Sequence, residues 1–417
     1  MTGAPRVAVV GGGAVGSAVA LRLVLDGCAV TLFDPDADGR NASYGNAGHI
    51  GAASIVPWAN PAHRRAAMAY RRDPMHPLRF SYGDMARNAR WVARWLRAST
   101  TKRAERGGRA LKSLLDTCYD TLEPLLKASD TTALLQRRGI LHVFENASAF
   151  EVARAGFEQR RSLGVPVEFL SPTQLYELEP LLDREGLAVH GAVLLPTIGQ
   201  VTDPGALLAG FRRATTRRGG VVRAERVRRL DADGGGVGVE TAEGGERFDA
   251  CVVAAGIRSP GLAKGLGARV PIIAERGYHV QFDDAPAPSR PILFVDRRVV
   301  FSPMRRGLRM TTGAEFTGPD RPPDHAFMRR IFQSARPLLR DAPELEAGEA
   351  WMGSRPTSPD SLPIIGRAPK ARNVVLAYGH GHSGLTMAAL TAAIVSALLR
   401  DRPAPIDIAP FRPDRGA

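Results

Sequence analysis

The chain opens on a short apolar, β-branched run from Arg6 to Val10, the pattern of a strand buried on both faces. Helical spacing follows over Ser17 to Asp26, then a second β-branched run, Ala29 to Phe33, that ends in Asp34. Residues 61–135 carry mostly helical periodicity, whereas 268–316 reads as strands broken by prolines. Val221 to Gly256 alternates β-type runs with turn-rich stretches at Asp231 to Gly236 and Ala242 to Glu246, as a β-meander does. Its last run leaves through the small residues Ala254-Ala255-Gly256. Near the C-terminus, Asn373 to Ala377 reads as a strand, Tyr378 to Gly384 as a loop rich in glycine and histidine, and Leu385 to Arg400 as a helix. The apolar stretch Leu385 to Leu399 spans 15 residues and includes two threonines and a serine. It is too short to cross a bilayer and predicts a buried helix. The whole pattern predicts an α/β chain.

The first strand feeds directly into Gly11-Gly12-Gly13-Ala14-Val15-Gly16, a G-x-G-x-x-G that opens the first helix. Gly11 suits the tight turn, Gly13 lets a pyrophosphate approach the backbone, and Gly16 lets helix and strand pack closely. The helix N-terminus offers free N–H groups and a positive dipole end to phosphates. Asp34 falls 21 residues after Gly13, where a carboxylate accepts from ribose hydroxyls. Such a motif alone is weak evidence. Here strand, helix, second strand and acid all fall in order, which predicts a dinucleotide site of Rossmann type. The alternative is a structural turn in which Asp34 merely caps the next element. An acid there disfavours NADP but does not separate NAD from FAD.

The 417 residues are 44% hydrophobic and 24% charged, an ordinary globular composition. Formal charge is +14, yet only five of the 56 basic residues are lysines (Lys102, Lys112, Lys127, Lys264, Lys370) and the arginines are spread along the chain. No nucleic-acid partner is expected from that distribution. A basic surface favours acidic substrates, anionic cofactors or an anionic membrane face. Cys28, Cys118 and Cys251 show no metal-ligand spacing, so no metal is expected and the compartment is read as reducing, hence cytoplasmic. Val7 to Val10 ends at glycines without an A-x-A site and reads as a strand, not a signal peptide.

Further segments carry a resemblance. After the second strand come Ser43-Tyr44-Gly45-Asn46-Ala47-Gly48-His49-Ile50 and Val56-Pro57-Trp58-Ala59. Later come Arg276-Gly277-Tyr278-His279-Val280 and Gly313-Ala314-Glu315-Phe316. The C-terminal part adds Gly353-Ser354-Arg355-Pro356-Thr357-Ser358-Pro359-Asp360, Leu362 to Gly366, and Gly379-His380-Gly381-His382-Ser383-Gly384-Leu385-Thr386. Together with the N-terminal unit, this order resembles the D-amino acid oxidase-like superfamily of FAD-dependent oxidoreductases, and within it the bacterial D-amino acid dehydrogenases. The resemblance implies a Rossmann-like FAD domain with a parallel sheet and β-meander, discontinuous over residues 1–60, 197–268 and 350–417. It also implies an α+β substrate domain with a mixed or antiparallel sheet over 61–196 and 269–349.

The same resemblance implies FAD contacts from Gly11, Gly13, Ala14, Val15, Gly16, Asp34 and Pro35, and from Ser43, Asn46, Ala47 and Gly48. It adds Gly256, Gly353, Arg355, Gly381, Ser383, Gly384, Leu385 and Thr386. Relatives that tether flavin use a C-terminal cysteine or a histidine in the early loop. This chain has no cysteine after Cys251 and has Gly45 at the loop position, so FAD is expected to be non-covalent. A second G-x-G-x-x-G is missing, so electrons are expected to pass to a quinone, a carrier or oxygen.

The implied chemistry is hydride transfer from an amino acid α-carbon to flavin N5. It yields a 2-oxo acid and ammonia, or a cyclic imine from a D-proline-like substrate. The cofactor carries the difficult step, so the protein must hold the substrate carboxylate. Arginine suits a carboxylate through its bidentate fork. Arg355 is the expected anchor, with Tyr278 on a strand facing the pocket; Arg276 and Arg309 are weaker candidates. His49 and His382 are expected at flavin-facing positions, where an imidazole titrates near neutral pH. His380 reads rather as a loop-stabilising residue, and no general base is expected. In Arg87 to Arg97, Trp91, Val92, Trp95 and Leu96 share one helical face and the arginines another. That composition suits either a peripheral anchor on the inner membrane face or, preferably, a core-packed helix. The competing functions are oxidation of secondary amines or glycine (sarcosine, D-hydroxyproline), an NAD-dependent dehydrogenase, and an inactive flavin-binding subunit.

Overall fold

In the computed structural model, residues 3–36, 40–51, 55–70, 76, 78–162, 164–183, 185 and 187–415 are described. Two sheets organise them. The first has six strands in the order Val221–Arg223, Ala29–Phe33, Arg6–Val10, Ala250–Val253, Ala371–Tyr378 and Ile364–Ala368. Its first five strands pair in parallel and the last is antiparallel. Parallel strands require crossovers that cover the sheet, which explains their continuous apolar runs. On one face lie the helices Ala14–Leu25 and Gly384–Leu399, packed against each other and sharing a core with Val7, Val9, Val30 and Leu32. On the other face the antiparallel meander Arg229–Asp233, Gly236–Glu240, Gly245–Phe248 buries Val237, Val239 and Phe248. The expected parallel sheet, meander and C-terminal buried helix are all present. The segment 381–399 is long and apolar enough to cross a membrane, but Leu385 to Thr391 are buried inside the molecule.

The second sheet is mixed and has nine strands. In order they are Glu349–Thr357, Ile273–Asp283, Gly307–Phe316, Val299–Met304, Ile292–Phe294, Ile140–Phe144, Gly191–Leu195 and Glu168–Leu170, with Leu78–Phe80 added beside Gly307–Phe316. Two boundaries differ from the sequence reading. Glu349–Thr357 was expected with the cofactor domain, yet it hydrogen-bonds along Ile273–Asp283 from Ile273↔Thr357 to Gln281↔Glu349. The helices Thr101–Leu115 and Cys118–Ala128 were expected with the substrate domain. They bury Leu114, Leu115, Leu122 and Leu126 against the nucleotide-side helices instead.

The helix Ala89–Ala98 turns Trp91 and Trp95 inward, where they join Phe316, Ile273 and Leu78. The Trp91 indole N–H donates to the Thr357 carbonyl at 2.9 Å. These tryptophans are core residues; they present no insertion face to a membrane.

Candidate active site

The site begins at the first strand's C-terminal end. Gly11 adopts φ +102°, turning the chain back across the sheet. A Cβ on Gly16 would lie 1.7 Å from the Gly11 carbonyl oxygen, so only glycine lets the helix seat on the turn. Gly13 differs: a Cβ there would meet only Ser43 Oγ at 3.2 Å and Asn41 Oδ1 at 3.9 Å. It faces a cleft. The helix has no side-chain cap at Gly13; Ser43 Oγ accepts from the Ala14 N–H at 3.0 Å. The other first-turn amides remain for a ligand. Asp34 lines the same cleft. Its carboxylate accepts from the Gly12 N–H at 2.5 Å, the Asp36 N–H at 2.9 Å and Arg212 Nη2 at 3.1 Å. Arg212 also donates to the Gly12 carbonyl at 2.7 Å, so it ties the turn to the acid.

The loop after the second strand is held from both sides. Arg309 Nη1 donates to the carbonyls of Tyr44 (3.1 Å) and Asn46 (2.7 Å), and His279 Nδ1 lies 3.1 Å from the Gly45 carbonyl. Thr386 Oγ1, on the C-terminal helix, donates to the His49 carbonyl at 3.0 Å. That helix also begins without a side-chain cap, at Ser383. The cleft between these parts has a volume of about 1120 Å³, above the usual 300–1,000 Å³ of small-ligand pockets. Of the residues expected to touch cofactor, all line it except Gly16 and Gly48, which act in packing.

At the far end, Arg355 donates from Nη1 to Glu275 Oε1 (3.1 Å) and to the Gly313 carbonyl (3.2 Å). Its Nη2 lies over Gly277, where an added Cβ would sit 2.0 Å away. Thr357 Oγ1 donates to the other Glu275 oxygen at 2.8 Å, so the carboxylate orients the arginine. His382 is exposed into the cleft; burial within the protein lowers its pKa, opposed by Glu275 and assisted by Arg355. His49 lines the cleft with its Nε2 buried and unbonded, and burial pushes its imidazole down to about 4.

Other candidates do different work. Tyr278 reaches the cleft wall, but its hydroxyl donates to Glu315 Oε2 at 2.5 Å and accepts from the Asp324 N–H at 3.3 Å. Burial, reinforced by Glu315, pushes that phenol up to about 12. The expected role of a free hydroxyl for substrate is therefore corrected: the group is already bonded on both sides. Arg276 is fully buried and donates to the carbonyls of Gly318, Arg321 and Pro322. His380 Nε2 lies 3.0 Å from Thr391 Oγ1, a side chain of the C-terminal helix and not loop backbone.

Sequence reasoning missed Arg212, Glu275, Trp351 and His142. Trp351 lines the cleft and stacks on His279, with ring centres 4.9 Å apart. It stands two residues before the expected Gly353, and that proximity was its only signal.

The donors present fit FAD. Two uncapped helix N-termini and the open face at Gly13 suit a pyrophosphate, Asp34 suits a ribose, and the cleft has room for the tricyclic ring beside a small substrate. A family model described as FAD dependent oxidoreductase matches residues 6–398. The chain is 32% identical over 419 residues to a D-amino-acid oxidase of Bradyrhizobium diazoefficiens, covering 98% of each. It is 33% identical over 417 residues to a D-amino acid dehydrogenase of Paramagnetospirillum magneticum, covering 97% of each. Glycine oxidase from Geobacillus kaustophilus superposes with a TM-score of 0.73 at 23% identity, over 99% of this chain and 100% of that one. Matched along nearly its whole length, this chain belongs to the FAD-dependent oxidoreductase family of amino acid oxidases and dehydrogenases.

Proposed function

We propose that this protein oxidises D-amino acids at the α-carbon, giving a 2-oxo acid and ammonia, with non-covalent FAD as first acceptor and a quinone or other carrier as second. The observation that carries the reading is Arg355, fixed by Glu275 and the Gly313 carbonyl at the cleft wall. A guanidinium already oriented on one edge loses little freedom when its other edge takes a carboxylate. The two relatives described above carry D-amino acid names, which supports the D series.

Bound in the cleft, flavin supplies an acceptor for two electrons and the α-hydrogen. The protein contributes placement. Gly13, Ala14 and Val15 would hold the pyrophosphate, Asp34 the ribose, and Ser383 to Thr386 the far end of the cofactor. Arg355 orients the substrate so that its α-hydrogen meets the reactive ring position. His382 faces the same cleft, with its pKa lowered by its surroundings in the protein. Among the three free cysteines none lines the cleft, which supports non-covalent attachment and a reducing, cytoplasmic setting.

The test is an anaerobic visible titration of purified yellow protein with D- and L-amino acids, glycine and sarcosine. Bleaching by D-amino acids, with recolouring faster by a quinone analogue than by air, supports the reading. Bleaching by glycine or sarcosine alone, or by L enantiomers, overturns it.

A further inference from the structure

The large sheet lays a row of side chains across the cleft floor. His142 pairs with Leu293, Leu293 with Val300, and Val300 with Thr311, each on the next strand, and all four line the cleft. The row is apolar in the middle and ends on the His142 imidazole. His49 reaches the same cleft from the other wall, with Nε2 buried and without a hydrogen-bond partner. Behind His142 stands Phe157, edge-on at 5.3 Å, and over Phe157 stands the Arg160 guanidinium, 4.9 Å from the ring centre. The neighbouring Arg154 and Arg161 pair with Glu151 and Glu158. Arg160 has no carboxylate partner among the described residues, and its Nε is also buried and unbonded.

The acids that line the cleft, Asp34, Asp36 and Glu225, all belong to the nucleotide half. The opposite half therefore offers Arg355 at one end and the His142 imidazole at the other, with Leu293 and Val300 between, while His49 faces the same space from the nucleotide side and Arg160 stands behind Phe157, outside the cleft lining. A buried donor without an acceptor is costly, so such donors are matched to a group that arrives with the ligand.

We propose that His49 and His142, backed by Arg160, form a second carboxylate subsite that selects amino acids whose side chain ends in a carboxylate. This rests on the reading that the cleft oxidises amino acids. Length follows from the sheet. The Arg355 guanidinium bonds Gly313 on the Gly307–Phe316 strand, three strands from Ile140–Phe144. At about 4.8 Å per strand the backbones stand roughly 14 Å apart. The guanidinium is already at the Gly307–Phe316 strand, so only the His142 side chain shortens that span, and the longer acidic side chains of glutamate and 2-aminoadipate suit it better than that of aspartate. A substrate lacking the second carboxylate leaves the imidazole end, where His49 Nε2 is buried and unbonded, without a partner, which a site built to bond a polar group rejects strongly.

The experiment compares kcat/KM for anaerobic flavin reduction by D-glutamate and D-2-aminoadipate with those for D-glutamine and D-leucine, using the FAD-loaded enzyme. The acidic pair is expected to exceed both neutral substrates at least tenfold, and His142→Leu to cut the acidic-to-leucine ratio at least tenfold. A ratio discounts partial misfolding, which lowers both terms alike. A second measurement needs no variant: adipate is expected to bind the wild-type protein at least tenfold more tightly than butyrate, read from the flavin spectrum. Equal binding of adipate and butyrate, D-glutamine matching D-glutamate, or an unchanged ratio in His142→Leu overturns the subsite. Failure of every D-amino acid to bleach flavin while adipate still outbinds butyrate would overturn the D-amino acid reading and leave the subsite standing.

Discussion

The two ends of the cleft are built differently. At the end proposed for the nucleotide, the cleft is walled by backbone: the turn at Gly11 to Gly16, the starts of two helices, and a loop fastened by Arg309 and Thr386. At the other end it is walled by side chains from strands far apart in sequence, with Arg355 braced by Glu275 and His142 lying five strands away from the strand that bears Arg355. A backbone cradle serves any substrate specificity equally well. A side-chain floor can change residue by residue without altering that backbone cradle.

Substitutions can break the two ends separately. The largest effect is expected from Gly16→Val. With the added Cβ 1.7 Å from the Gly11 carbonyl, the helix cannot seat, and the purified protein should carry no FAD absorbance and unfold well below the wild type. Gly277→Ala strikes the other end by displacing Arg355 Nη2. A lost charged hydrogen-bond pair is worth roughly 2–4 kcal/mol, so kcat/KM should drop about 30- to 1,000-fold, measured by stopped-flow flavin reduction. FAD content should remain near wild type; loss of flavin would show that the ends are not independent.

The sequence made the first end legible and the second only partly so. Gly11, Gly13, Gly16 and Asp34 lie within one βαβ unit, where spacing alone implies geometry. The substrate floor had no such local signal. His142, Leu293, Val300 and Thr311 become neighbours only through register across four strands. Tyr278 lines the cleft, but its hydroxyl's partners, Glu315 and the Asp324 N–H, come from segments 37 and 46 residues away that no local pattern reports. A register shift between Arg276 and Tyr278 compounds this. Residues 350–357 were grouped with the cofactor domain, to which the chain after them belongs, although their strand pairs with Ile273–Asp283. Trp91 and Trp95 were legible because helical spacing separated them from the arginines.

A different effect, on stability and not on turnover, comes from pH. His142, His279 and His380 are pushed down to about 3 and His49 to about 4, all chiefly by burial. Their unfolded value lies near 6.5. Below that pH the unfolded chain binds protons that the folded protein refuses, so stability is lost as pH falls from about 6.5 toward 3. Each imidazole removes about 1.4 kcal/mol per pH unit in that window. Three of the four, His49, His142 and His279, stand at the substrate end or on its supporting strands. Tm should fall steadily from pH 7 to 5, and a His380→Gln variant should fall less steeply.

The most direct test of the central claim is the reductive half-reaction of Arg355→Met, followed anaerobically by stopped flow with a D-amino acid that bleaches the wild-type enzyme. The expected result is a protein that keeps at least half the wild-type FAD content while kcat/KM drops at least about 100-fold, as loss of a carboxylate's charged partner requires. A variant that binds FAD and reduces it at the wild-type rate would contradict the assignment of Arg355 as the substrate anchor.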